Sequence, residues 1–191
     1  MRLPLTFYRR SALTVARELL GKVLVHQLPT DRREGRIVET EAYVGEHDLA
    51  CHASKGRTRR TEVLFGPPGR AYVYFIYGMY HCFNVVTEPE GVAAAVLVRA
   101  IEPLAGIPGG LGTDGPGKLC RALGITLLQN REDLRGDVLF IEDAPAVPRS
   151  RIERGPRIGV DYSGIWAQRP YRLWLRGNPF VSVRGLRSSD T

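Results

Sequence analysis

The stretch Arg70–Pro103, RAYVYFIYGMYHCFNVVTEPEGVAAAVLVRAIEP, is crowded with β-branched and aromatic residues and is broken only at Gly78 and at EPEG, residues 88–91. Such side chains suit a pleated, half-buried surface, and glycine-containing breaks separate strands, so the stretch predicts about three strands. Working outward, Lys22–Leu28, Gly35–Gly45, DVLFIED (137–143) and YRLWLRG (171–177) predict further strands, with PTDRRE (29–34) as a polar turn. In SALTVARELLGKVLV (11–25), Leu13, Ala16, Leu19 and Leu20 recur at helical spacing and Gly21 supplies the stop. A second, short helix is predicted over Pro116–Leu123, with proline in its first turn and Gly124 just past its end. Residues 144–168 read as a variable connection. Strands grouped together with a few helices outside them define an α+β fold, expected as one domain over residues 1–191 with a predominantly antiparallel sheet.

With 43% hydrophobic and 25% charged residues, the chain has the composition of a globular protein. No apolar run approaches the ~18 residues of a membrane span. The N-terminal MRLPLTFYRRSAL lacks the apolar core and cleavage site of a secretory signal, so a cytoplasmic location is expected, with no membrane partner. Cys51, Cys82 and Cys120 show neither a disulfide framework nor a zinc spacing and are expected as buried free thiols. Of 27 basic side chains only Lys22, Lys55 and Lys118 are lysine, and the net charge of +7 with a pI near 9.7 points to a polyanionic partner.

In GRIVETEAYVG (35–45) the two-residue period puts Val38, Thr40 and Ala42 on one side and Glu39, Glu41 and Tyr43 on the other. Alternation does not say which acid matters. Residues 45–69, which include the basic HASKGRTRRTEV and end in GPPG, read as a surface loop. GTDGPGKL (112–119) has the glycine and lysine spacing of a phosphate-binding loop, but Leu119 stands where a Ser or Thr must hold magnesium and Pro116 removes an N–H. GIPGGLG resembles the turn of a helix-hairpin-helix, yet VLVRAIEPL before it reads as strand. Lys118, at the start of a helix, and Arg60, in the basic loop, remain candidates for phosphate contact. His26, His47, His52 and His81 are too scattered to form a metal set. In YVYFIYGMY, Tyr72 and Tyr74 share a face and Tyr77 lies at the turn. Tyr72 and Tyr80 read as ordinary sheet core, whereas a projecting tyrosine can wedge between stacked bases.

GRIVETEAYVG, the spaced His52, YVYFIYGMYHCFN, VLVRAIEP and GPGKLCRALGI, in this order, resemble the alkyladenine (3-methyladenine) DNA glycosylase family, the likeness running from about Leu13 to Ser182. The resemblance implies a mixed α+β domain with a curved sheet, flanking helices and a β-hairpin that enters the minor groove. It implies excision of alkylated and deaminated purines from double-stranded DNA, among them 3-methyladenine, 7-methylguanine, hypoxanthine and ethenoadenine, without metal or cofactor. It assigns Glu41 to activating water and Arg99 to holding it, Tyr43 and Tyr74 to sandwiching the base, and His52 to contacting it. Tyr77 is the wedge, and Asn84 crowds the 2-amino group of guanine. Cationic alkylpurines are expected to gain from the electron-rich rings. The chain departs from the family at Arg59, where proline is common, which bears on the shape of that loop.

Other readings are a non-catalytic lesion-binding protein, against which Glu41 and Arg99 speak, and a nucleotide hydrolase, weakened by Leu119. Glycosylases that also nick DNA use an amine nucleophile, and no lysine stands in such a setting, so a monofunctional enzyme is expected; a monomer is the default.

Overall fold

Every strand pairing among the described residues of the computed structural model, residues 1–182, is antiparallel. The strands are β1 (Val23–Gln27), β2 (Arg32–Tyr43), β3 (Ala71–Ile76), β4 (Tyr80–Thr87), β5 (Ala94–Ala105), β6 (Leu139–Glu142), β7 (Ile152–Gly155) and β8 (Arg172–Leu175). Their order is β3-β4-β5-β2-β1-β6, with β8 joined to β2 and β7 to β8. β2 organises the sheet. Along one edge it pairs with β5; along the other its first half takes β1 and Glu39–Glu41 take β8. The α+β reading holds, and Arg70–Pro103 folds into the three strands its composition called for.

One face of the sheet is covered by α1 (Leu5–Tyr8), α2 (Ala12–Leu19) and α3 (Pro116–Leu123). Ser11 opens α2, its side chain accepting from Thr14 N–H at 3.3 Å, and Ala12, Val15, Ala16 and Leu19 form the buried stripe. Leu13, expected on that stripe, is 37% exposed. The stripe runs one residue earlier, because Ala12 rather than Leu13 packs in the main core. In α3, Pro116 occupies the first turn and Gly124, at φ 75°, ends the helix by admitting a left-handed residue. Leu119, Cys120 and Leu123 anchor it. Truncating a buried leucine such as Leu19 or Leu119 to alanine costs about 2 to 5 kcal/mol.

The opposite face has its own core, and it corrects the reading of residues 45–69 as a surface loop. Cys51, Ala53, Val63, Leu64 and Phe65 from that segment pack on Tyr72, Val86, Ala93 and Ala95 of the sheet region. Two short 3-10 turns, His52–Lys55 and Glu62–Phe65, replace periodic structure, which is why no period marked the burial. A second correction concerns Val38. Register shifts on either side of Glu39 break the period of two, so Ile37 enters the main core while Val38 packs with Ala100 and Val181 beside Trp174. β7, inside the expected connection 144–168, was masked by its polar sequence IERG and is fixed by pairing with β8. No described helix is long and apolar enough to cross a membrane. The three cysteines are free and buried, as expected.

Candidate active site

Register alone carries residues distant in sequence onto one rung of the sheet. Tyr72 of β3 lies opposite Asn84 of β4, Asn84 opposite Leu97 of β5, and Leu97 opposite Glu41 of β2. Directly paired residues share a face, so Tyr72, Asn84 and Glu41 all point away from the helices. Neighbouring rungs add Tyr74, paired with Cys82, and Tyr43, paired with Ala95. Thr40, between the two acids, points the other way and donates to Ala16 O at 2.9 Å. This face opens into a cavity of about 530 Å³ whose lining includes Tyr43, His52, Tyr74, Asn84, Arg99 and Tyr162. That volume suits a small flat ligand.

Glu41 lies just behind this lining, with no exposed surface. Its Oε1 accepts from the Ile158 N–H at 2.8 Å and stands 3.4 Å from Arg99 Nη1, and its Oε2 accepts the Tyr43 hydroxyl at 2.9 Å. A carboxylate oxygen has two lone pairs, so Oε2 keeps one beyond its only donor among the described residues. Glu39 is equally buried, but its donors stand off the cavity: Oε1 takes Arg172 Nε at 2.6 Å and Oε2 takes the Ser182 N–H at 2.7 Å, and neither residue is in the cavity lining, whereas Tyr43 and Ile158 both are. Arg99 Nε lies 3.3 Å from Glu39 Oε1, too poorly aligned for a hydrogen bond, so one guanidinium serves both acids as an ion pair. Burial works against the charge of Arg99, but Glu41 and Glu39 hold its pKa above the usual value. Two acids, Glu39 and Glu41, and two guanidinium groups, Arg99 and Arg172, thus balance in the buried cluster.

The aromatic walls are equally constrained. Burial and then the charge of Glu41 push the Tyr43 phenol well above its ordinary range, keeping it a donor to that acid. Tyr72 and Tyr74 pack at 5.3 Å between ring centres, and His52 meets Tyr74 edge-on at 4.7 Å. His52 Nδ1 is 2.9 Å from the Tyr72 hydroxyl. Burial, with Arg60 and Lys55 nearby, depresses the His52 pKa to about 4, so the ring is neutral at physiological pH. Asn84 is buried, its Nδ2 donating to Tyr72 O at 3.1 Å.

The hairpin between β3 and β4 turns at Tyr77 and Gly78, with φ values of 53° and 67°. Both values are left-handed, and a tyrosine there is strained. Tyr77 is nonetheless 82% exposed, so packing does not explain it. Tyr80, expected in the core, is 43% exposed, because it starts β4 at the projecting end of the hairpin. Lys118 lines the cavity at the start of α3 and binds Asp114 at 3.0 Å. Arg60 does not line it; its guanidinium lies 5.1 Å from the Tyr74 ring centre. Arg59 is exposed.

Three features escaped sequence reasoning. Asp48 and Arg157 form a fully buried pair, Nη1 to Oδ2 at 2.5 Å and Nη2 to Oδ1 at 2.8 Å. The same Arg157 donates to Ala42 O at 2.8 Å and stacks 4.7 Å from the Tyr43 ring centre, while the next residue, Ile158, donates to Glu41. Tyr162, 71% exposed, stands at the cavity on a 3-10 segment bent at Gly164. The pair is separated by 109 residues and left no local signal; the short motif PRIGVDYSG, inside the stretch read as variable, was the only available hint.

A carboxylate paired with an arginine and out of solvent behind an aromatic cavity, on a basic protein with a projecting hairpin, is the equipment of a hydrolase acting on a planar ring within a polyanion. The sequence profile of the family described as "Methylpurine-DNA glycosylase (MPG)" matches residues 6–179, and the chain belongs to that family. It is 63% identical over 180 residues to a protein of Myxococcus xanthus (strain DK1622), covering 94% of this chain and 93% of the relative. It is 58% identical over 183 residues to one of Anaeromyxobacter dehalogenans (strain 2CP-C), covering 95% and 87%. A third, from Methanocella arvoryzae, is 54% identical over 194 residues, covering 95% and 96%. Each of these relatives carries the name "Putative 3-methyladenine DNA glycosylase". The chain is therefore similar to DNA glycosylases over nearly its whole length, and its class is that of a DNA-repair hydrolase with DNA as substrate. Among the described residues, no group of three or more His, Cys, Asp or Glu could hold a metal ion.

Proposed function

We propose that the protein flips alkylated or deaminated purines out of duplex DNA and hydrolyses their N-glycosidic bond, leaving an abasic site. Its substrates are 3-methyladenine, 7-methylguanine, hypoxanthine and ethenoadenine, and it acts as a monomer without cutting the strand. The observation that carries this reading is the buried Glu41, with one Oε2 lone pair unspent, behind a cavity walled by Tyr43 and Tyr74.

Tyr77 wedges into the stack at the lesion and the extruded base enters between Tyr43 and Tyr74. Stacking worth about 1 to 3 kcal/mol per base offsets the few kcal/mol of extrusion. Asn84 and His52 meet the edges of the base, and Asn84, already tied to Tyr72 O, stands against the 2-amino group of a normal guanine. As the C1′–N bond breaks, its electron pair leaves with the purine and positive charge develops on the deoxyribose. Water bonds to C1′ while its proton passes to the free lone pair of Glu41 Oε2. The Glu41 carboxylate, 3.4 Å from Arg99 Nη1, favours the oxocarbenium-like transition state electrostatically.

The lysines support monofunctional action. Lys22 is buried against Asp143 at 2.6 Å, Lys55 is exposed, and Lys118 is tied to Asp114 at 3.0 Å. The test is incubation with duplexes carrying each lesion, then alkali. Strand breaks that appear only after alkali support the reading; intact strands after alkali for every lesion reject it.

A further inference from the structure

Each wall tyrosine has an arginine against its ring, and the two arginines differ in one respect. Arg157, 4.7 Å from the centre of Tyr43, is neutralised by Asp48 at full burial. Arg60, 5.1 Å from the centre of Tyr74, has no acidic partner among the described residues. Among the charges in or directly behind the cavity lining the others pair, Glu39 and Glu41 with Arg99 and Arg172 and Lys118 with Asp114, while exposed Lys55 acts on His52 from outside it. His52 adds nothing, being neutral at physiological pH. Of the charged groups touching the cavity's aromatic walls, Arg60 is left uncompensated.

We propose that Arg60 is a specificity-determining residue, its guanidinium over Tyr74 favouring excision of neutral purine lesions over cationic alkylpurines. The inference rests on the glycosylase reading above and names the substrate class within it. A cation on the Tyr74 ring opposes the attraction that an electron-rich ring would offer a cationic base. It also acts on the leaving group. When the C1′–N bond of a neutral purine breaks, the departing ring gains the electron pair and negative charge, which a nearby guanidinium stabilises. A cationic alkylpurine takes the same pair and leaves neutral, so it gains nothing from Arg60 and is repelled on entry. The two classes therefore respond in opposite senses, unlike the response to a phosphate contact.

The experiment measures single-turnover release of ethenoadenine, neutral, and 7-methylguanine, cationic, from matched duplexes by wild type, Arg60→Gln and Arg60→Lys. Because Arg60 is exposed, the variants should fold, and a thermal melt checks this. Arg60→Gln is expected to lower the ethenoadenine to 7-methylguanine rate ratio about fivefold, the scale of one partly screened charge at this range. Arg60→Lys, which keeps the charge, should retain most of the wild-type ratio. An equal loss on both lesions, with a shallower salt dependence, overturns the inference and makes Arg60 a phosphate contact. If wild type releases neither base, the glycosylase reading itself fails. If it releases both and the ratio does not move, only the role of Arg60 fails.

Discussion

Replacing Glu41 by glutamine changes one atom of the carboxylate, and the surrounding contacts dictate how it sits. The Ile158 N–H can only donate, so it must face the amide oxygen; the amide nitrogen then falls toward Tyr43, whose hydroxyl can turn to accept. The lone pair left free on Oε2 becomes an N–H, and water there meets a donor instead of a base. Losing a general base costs about 10² to 10⁴ in rate, equivalent to about 2.7 to 5.4 kcal/mol at 1.36 kcal/mol per tenfold. Stability falls less. Removing one member of a buried ion pair costs about 3 to 5 kcal/mol when the other is stranded, but Arg99 keeps Glu39 at 3.3 Å, so the loss should lie below that range. Single-turnover release of hypoxanthine at saturating Glu41→Gln, alongside retention of the lesion duplex in a gel shift, separates chemistry from binding. Excision within tenfold of wild type would refute the assignment of Glu41 as base.

Tyr77→Ala should leave the melting temperature unchanged, since the side chain is 82% exposed, yet slow excision from duplex DNA roughly tenfold or more; an unchanged duplex rate would remove the wedge role. Asp48→Ala strands the Arg157 guanidinium at full burial and should cost about 3 to 5 kcal/mol in urea unfolding. A loss under 1 kcal/mol would mean that the pair does not hold the strand behind Tyr43. His52, depressed to about 4 from 6.5, is neutral when folded and takes up a proton on unfolding in the window between those values. Its contribution is thus complete above about pH 6.5 and lost as pH falls toward 4. The stability gap between wild type and His52→Asn should narrow across that window; a constant gap would contradict the depressed pKa.

What local pattern encodes was legible. The three strands of Arg70–Pro103 and the helix bounded by Pro116 and Gly124 depend on side-chain shape and backbone freedom within a few residues, and both lie where expected. Strand parity also brought Glu41 and Tyr43 to one face, where the phenol now proves to bind the acid. Telling Glu41 from Glu39 was beyond alternation, because the two differ in partners from elsewhere: Arg172 and Ser182, off the cavity, hold Glu39, while Ile158 and Tyr43, both in the cavity lining, hold Glu41. Val38 was misassigned because register shifts beside Glu39 interrupt the period. The burial of 45–69 and the Asp48–Arg157 pair arise from packing across the molecule, for which a linear pattern has no sign.

The most direct test of the central claim uses one duplex with a single ethenoadenine, labelled at its 5′ end and incubated with the wild-type protein, with and without borohydride. Free ethenoadenine in solution, a strand cut only after alkali, and no covalent DNA adduct are the predicted result. A strand cut without alkali together with a borohydride-trapped adduct, or no free base at all, would contradict it.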